Sequence, residues 1–256
     1  MKTLTCLFSA LLIGLTAGLT AAWTADADAA GEKIPYAVDG KPYEGYLVMP
    51  SPKAPLVLLI HDWDGLTDYE VKRADMLADL GYAVFAADLF GTGVRPTETA
   101  DKRKQTDALY QDRKKMRALL NGALDTAKSK GADIHNAVAM GYCFGGAAVL
   151  ELARSGADLK GFVAFHGGLD LPEGQDYAGT RGRLLVLHGT ADQSVSMDQF
   201  AALARALEEK GVPHEMITYG GAPHAFTVFG TERYREDADR KSWKRFTEFL
   251  GETLAR

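Results

Sequence analysis

Cys143, Asp192 and His224 are the residues of this chain whose types and order could carry covalent chemistry. A thiol becomes a useful nucleophile when a base lies within hydrogen-bond reach and an acid fixes the tautomer of that base. Here nucleophile, acid and base follow one another in that chain order. Cys143 stands in Gly141-Tyr142-Cys143-Phe144-Gly145-Gly146, after an apolar run at 138–140 and before Ala147 and Ala148. Glycines two positions either side of a nucleophile suit a sharp turn from strand to helix, because larger side chains would collide there and hide the thiol. A cysteine at a helix N-terminus also faces the positive end of the helix dipole, which favours thiolate. The bland alternative is a small buried hydrophobe; the flanking glycines weigh against it.

Positioning these groups requires a scaffold, and the chain supplies alternating strands and helices. Residues 34–39 and 43–49 alternate apolar and polar about Asp39-Gly40, the pattern of an antiparallel hairpin. Residues 56–60 form a continuous apolar run suited to a strand buried on both faces of a parallel sheet. Further strands are predicted at 82–87, 137–140, 161–165, 184–187 and 215–219, separated by helices at 67–80, 98–130, from the elbow to about 156, at 197–210 and at the C-terminus. This is an α/β fold, a doubly wound, mostly parallel sheet flanked by helices, with an N-terminal antiparallel hairpin. In such sheets ligands bind beyond the carboxyl ends of the strands. Asp62, Asp88, Cys143, His166, Asp192 and His224 all follow predicted strands, which puts them on one rim. The Gly-, Asp- and Pro-rich stretch 167–183 is expected to face substrate.

Composition narrows the function classes. The net charge is only −5, and the basic stretch from Lys102 to Arg117 is interleaved with Asp101, Asp107 and Asp112, so it reads as a solvated helix face and no nucleic-acid partner is expected. Lys2, an apolar stretch at 4–20 interrupted by Gly14, Thr16 and Gly18, and small residues at 25–30 read as a cleavable export signal over residues 1–29. Cleavage after Ala27 or after Ala29 fits equally. Residues 30–256 would then form a single exported domain, periplasmic or secreted, with no stable membrane insertion and with Cys143 as its one cysteine. No histidine pair has a zinc-ligand spacing and no phosphate-binding glycine loop is present, so neither metal nor other cofactor is expected. His166 and His188 are expected to hydrogen-bond the rim loops.

The motifs Gly141 to Gly146, His188-Gly189-Thr190-Ala191-Asp192 and Gly221-Ala222-Pro223-His224-Ala225-Phe226, in that order, resemble the dienelactone hydrolase family of α/β-hydrolases. The resemblance implies that Cys143 attacks an ester carbonyl, His224 relays the proton and Asp192 holds His224. It also implies an oxyanion hole from the backbone N–H groups of Phe144 and Trp63. Asp62 stands where the family carries a glutamate beside the resting thiol, which makes it either a shorter thiol-gating group or a loop cap. The family's lactone carboxylate is held by two arginines; the corresponding positions are Thr92, with Arg95 nearby, and Val228, so at least one arginine is missing. Tyr142, Arg95 and Phe226 are the candidate substrate contacts, with core packing as the alternative for the two aromatics.

The expectation is a carboxylic ester, lactone or thioester hydrolase working through an acyl-cysteine, as a monomer or homodimer on a small-molecule substrate. A peptidase or acyltransferase on the same fold, and a non-catalytic thiol-based binding or redox-sensing relative, are the competing readings. The thiol is expected to be recessed and kept neutral until substrate arrives.

Overall fold

Six consecutive apolar residues, Pro-Leu-Val-Leu-Leu-Ile, form β3 (Pro55–Ile60), which is buried on both faces and lies near the middle of the sheet. The computed structural model describes residues 31–255 together with Met1; the export signal expected over 1–29 otherwise lies outside the described residues. In chain order the elements are β1 (Glu32–Val38), β2 (Lys41–Val48), β3, α1 (Asp68–Ala78), β4 (Ala83–Ala87), α2 (Thr99–Gln111), α3 (Arg113–Ser129) and β5 (Asp133–Tyr142). They continue with α4 (Phe144–Arg154), β6 (Gly161–Phe165), β7 (Arg183–Gly189), α5 (Met197–Glu209), β8 (His214–Tyr219) and α6 (Glu236–Thr253).

The strands form one sheet in the order β1-β2-β4-β3-β5-β6-β7-β8. Only the β1–β2 and β2–β4 pairs are antiparallel; every pair from β4–β3 to β7–β8 is parallel. The hairpin turns at Asp39 and Gly40, both in the left-handed region at φ 50° and 74°, as a two-residue turn between right-twisted strands requires. Strand alternation divides the core. Leu56, Leu58, Ala137 and Ala139 face α3, α4 and α5, whereas Val57, Leu59, Val138, Met140 and Tyr142 face α1 and α6.

Sequence order reverses between β3 and β5. From β3 the chain crosses to β4 on one side, and it returns to β5 on the other. The crevice at their carboxyl ends is the position at which a doubly wound sheet binds ligands, and it holds the loop after β3 and the turn after β5.

Two expectations need correction. The single helix expected over 98–130 is two, because Asp112 leaves helical geometry at φ −114°, ψ 75°. Its carboxylate accepts from the Lys115 N–H at 2.9 Å and so caps α3. The stretch 167–183, expected to face substrate, instead folds against the C-terminal end of α4: Tyr177 is buried there, and its hydroxyl and the Gln175 amide each accept from Arg154 at 2.8 Å.

Candidate active site

The turn after β5 holds Cys143 at φ 51°, ψ −113°, a backbone conformation that L-residues seldom adopt. Local packing enforces it. A Cβ on Gly145 would stand 2.3 Å from the carbonyl oxygen of Ile60 and 2.6 Å from that of His61, so only glycine lets α4 start this close to β3. The Cys143 N–H bonds to the Phe165 carbonyl at 3.0 Å and its own carbonyl accepts from Gly146 at 3.1 Å. The sulfur therefore sits half-buried at the N-terminus of α4, in a cavity of about 370 Å³.

The other two groups arrive on the loops after β7 and β8. Gly189 allows these loops to meet: a Cβ there would be 2.2 Å from the Ala222 carbonyl oxygen, which instead accepts from the Ala191 N–H at 3.0 Å. His224 Nε2 then lies 3.1 Å from Cys143 Sγ, and His224 Nδ1 lies 2.7 Å from Asp192 Oδ2. The second oxygen of Asp192 accepts from the N–H groups of Ser194 and Val195 at 2.8 and 2.9 Å. Burial opposes charge on Asp192, but these donors and His224 hold its carboxyl below the usual range. Burial likewise opposes charge on His224, and the hydrogen bonds to Asp192 and Cys143 overcome it, so its pKa is pushed up to about 10. The arrangement can accept a thiol proton at Nε2 and keep the resulting imidazolium in place.

Trp63 and Phe144 both line the cavity. Among the described residues no hydrogen bond engages either backbone N–H. His61 orients the first. Its Nε2 accepts from the Leu89 N–H at 3.1 Å, so the ring proton sits on Nδ1 and is donated to the Asp62 carbonyl at 2.6 Å. Burial pushes the His61 pKa down, consistent with a neutral ring.

Asp62 shares the cavity with Cys143, but its carboxyl accepts from the Asp64 N–H at 3.0 Å. The sulfur turns to His224 rather than to Asp62. Burial, Asp64 and Glu70 push the Asp62 carboxyl well up, with the Cys143 sulfur adding to the effect. Glu70 is itself buried and pushed up to about 7, although it accepts from the Thr67 N–H and hydroxyl, each at 2.8 Å.

The three expected substrate contacts fall elsewhere. Tyr142 ends β5 on the face opposite the cavity, fully buried against Tyr69 and Phe165 with ring centroids 5.1 and 5.0 Å away. Phe226 is also fully buried in that second core. Arg95 turns away to the carbonyls of Leu66 and Val94 and to Asp88. In their place the cavity is walled by Tyr110, Thr106 and Arg103 of α2, and by Val195 and Arg233. Sequence reading missed this wall because the charges of α2 looked like a solvated face; the spacing of 103, 106 and 110 was the available signal.

Beneath His224, the fully buried His166 bonds through Nε2 to the Thr227 hydroxyl at 2.8 Å, as a rim histidine was expected to. Burial holds its pKa well down, so it stays uncharged 5.3 Å from the His224 ring. His188 packs against Phe200 at 5.5 Å between centroids. Arg73 of α1 moors the histidine loop, donating to the Thr227 carbonyl at 2.9 Å and pairing with Asp239 of α6. Its guanidinium lies 4.2 Å from the Phe229 ring centroid and 4.8 Å from that of Trp243.

Known proteins share this architecture. An Escherichia coli (strain K12) protein provisionally named carboxymethylenebutenolidase is 25% identical over 206 residues, covering 77% of this chain and 76% of that protein. The solved structure named m3DLH is 34% identical with a TM-score of 0.82, covering 88% of this chain and 99% of the other. The crystal structure of P91, a dienelactone hydrolase-like promiscuous phosphotriesterase from metagenomic libraries, is 30% identical at the same TM-score of 0.82 and the same coverage of 88% and 99%. A model described as the dienelactone hydrolase family matches residues 43–254. That span holds the Cys143 turn, Asp192 and His224, and the chain belongs to the dienelactone hydrolase family, hydrolases of ester and lactone bonds on the α/β-hydrolase fold.

Proposed function

We propose that the protein hydrolyses small carboxylic esters, lactones or thioesters through an acyl-cysteine formed on Cys143. The carrying observation is the continuous chain Asp192–His224–Cys143, with contacts of 2.7 and 3.1 Å, at the floor of the cavity. Sγ adds to the substrate carbonyl, and the oxygen that gains charge is received by the N–H groups of Trp63 and Phe144. Collapse of the tetrahedral intermediate breaks the bond to the leaving oxygen or sulfur, which takes its proton from His224 Nε2. Water then attacks the acyl-cysteine with His224 as general base, releasing the acid and regenerating the Sγ–His224 pair. Asp192 stays ionised and holds His224 throughout. Asp62, with one carboxyl oxygen bonded to the Asp64 N–H, serves this reading as a buried acid beside the nucleophile.

The same reading places the enzyme outside the cytoplasm. Its support is the sequence pattern within 1–29, and N-terminal sequencing of the protein recovered from an exported fraction tests it. The catalytic reading is tested with p-nitrophenyl acetate and mass spectrometry. A mass increase of one acyl group on the peptide containing Cys143 is expected under rapid quench; full turnover by Cys143→Ala would sink the proposal.

A further inference from the structure

His166 follows β6, fully buried beneath the ring of His224, and the reaction described above does not use it. Its ring packs on Tyr142 and Phe226 with centroids 5.8 and 5.4 Å away, and among the described residues its Nδ1 meets no partner. A phenyl ring would fill this space without leaving a buried polar atom unpaired, which is a cost to the fold. What the imidazole adds is Nε2, 2.8 Å from the Thr227 hydroxyl.

The direction of that bond follows from the groups behind it. Arg73 can only donate, and its Nε–H gives to the Tyr69 hydroxyl at 3.3 Å. The Tyr69 hydroxyl in turn lies 2.8 Å from Thr227 Oγ1. Tyr69 therefore donates to Thr227, and Thr227 donates to His166 Nε2; the reverse sense would leave the Tyr69 proton without an acceptor among the described residues. The imidazole thus carries its one proton on Nδ1. Thr227 is held by main chain as well as side chain, because its carbonyl accepts from Arg73 at 2.9 Å, and it stands three residues after His224.

A proton arriving at His166 Nε2 would set a second donor against the Thr227 hydroxyl. Turning the chain round to receive it would end at Arg73, which cannot accept. The new charge would also stand beside the one that His224 acquires from the thiol. Burial opposes it, and so do His224 at 5.3 Å between centroids, Arg73, and His188 near the end of β7. The other facing groups are the hydroxyls of Tyr69 and Tyr142, while Asp239 is taken up by Arg73.

We propose that His166 is a positioning residue for acylation: as the neutral acceptor that ends the Arg73–Tyr69–Thr227 chain, it fixes the loop carrying His224 and leaves His224 as the single base that takes the thiol proton. The proposal rests on the acyl-cysteine reading of Cys143.

The test is the acid limb of kcat/KM for p-nitrophenyl acetate, where the Cys143–His224 pair is lost to protonation of the sulfur. Thr227→Val keeps the shape but frees His166 Nε2 to take a proton. The limb should move up by about one pH unit, and kcat/KM at pH 7 should fall about tenfold. Thr227→Ser, which keeps the hydroxyl, should leave the limb in place. In His166→Phe/Thr227→Val no second imidazole is left to charge, so the limb should return to its wild-type position although the rate stays low. A loss of packing alone would lower the rate in both variants and move neither limb. Tyr69→Phe cuts the chain one link earlier and should move the limb the same way by less, which keeps the test open where Thr227→Val does not fold. An unmoved limb in Thr227→Val and Tyr69→Phe, or an equal shift in the double variant, would overturn the role of His166. Mass spectrometry of the Cys143 peptide under rapid quench separates the two readings. A wild type that turns over with no acyl adduct fails the acyl-cysteine reading, whereas adducts on every variant with unmoved limbs fail the role of His166 alone.

Discussion

His61 Nδ1 donates to the carbonyl oxygen of Asp62 at 2.6 Å, and this one contact fixes the plane of the peptide that carries the Trp63 N–H. In a trans peptide the N–H points opposite to the C=O, so holding the oxygen on the His61 side sends the proton the other way. Removing the ring in His61→Leu is expected to lower kcat/KM for p-nitrophenyl acetate by roughly 10- to 100-fold, short of the full loss of an oxyanion donor. Alkylation of Cys143 by iodoacetamide, which uses no oxyanion hole, should keep its wild-type rate. An equal drop in both would mean that the variant has simply disturbed the turn.

Asp192→Asn should separate the two supports of His224. The amide keeps the shape but removes the charge that holds the imidazolium, so the His224 pKa falls from about 10 and kcat drops by about 10²- to 10⁴-fold. The titration of the His224 ring, followed by NMR, should move to lower pH, because the charge that holds its proton is gone. An unshifted titration would refute the assigned role of Asp192.

Stability should depend on pH through the carboxyls behind the nucleophile. Burial raises Glu70 from 4.5 in the unfolded chain to about 7 in the fold. The fold therefore favours its protonated form: that contribution is complete below about pH 4.5 and is lost as the pH rises through about 7. The loss amounts to up to about 3 kcal/mol. Asp62, also raised, acts in the same sense, and His224, raised from 6.5 to about 10, loses its contribution progressively between those two values. Wild-type Tm should fall between pH 5 and pH 8, and Glu70→Gln should flatten that fall. A steeper fall in the variant would contradict the assignment.

Gly145→Ala tests the packing that shapes the turn. The added methyl meets two main-chain oxygens, at 2.3 and 2.6 Å, which cannot swing aside as a side chain could. A loss on the order of 2–4 kcal/mol is expected, read as a lower urea midpoint, together with a slower reaction of Cys143 with iodoacetamide. An alanine variant of wild-type stability would show that the strand-to-helix turn tolerates a wider approach.

Much of this was legible in the residues. The apolar run of β3, only six residues long and opened by Pro55, reads as a doubly buried strand. The order Cys143, Asp192, His224 at the ends of β5, β7 and β8 fixed which rim mattered. Tyr142 adjoins the nucleophile in sequence, but adjacency does not bring it to substrate. Alternation along β5 puts Tyr142 on the face of Val138 and Met140, and that rule needs only the strand register. Arg103 and Arg233 were harder to see. The first lay in a charge run that resembled a solvated surface, and the second on a segment whose path toward Cys143 depends on the loop after β8, which no periodicity encodes. The break at Asp112 was hidden because a capping aspartate inside a polar helical stretch looks like any exposed acid.

Arg73 ties the histidine loop to α1 and α6, while the sulfur rides on the central strand β5. The two halves of the acylating pair thus have foundations of unequal depth. Warming that loosens the helical flank should part base from nucleophile while the sheet endures, so the protein would fall silent before it melts and regain its activity on cooling. Its working ceiling would then be set by a cation held among rings on the outside of the sheet, some way from any atom that touches substrate.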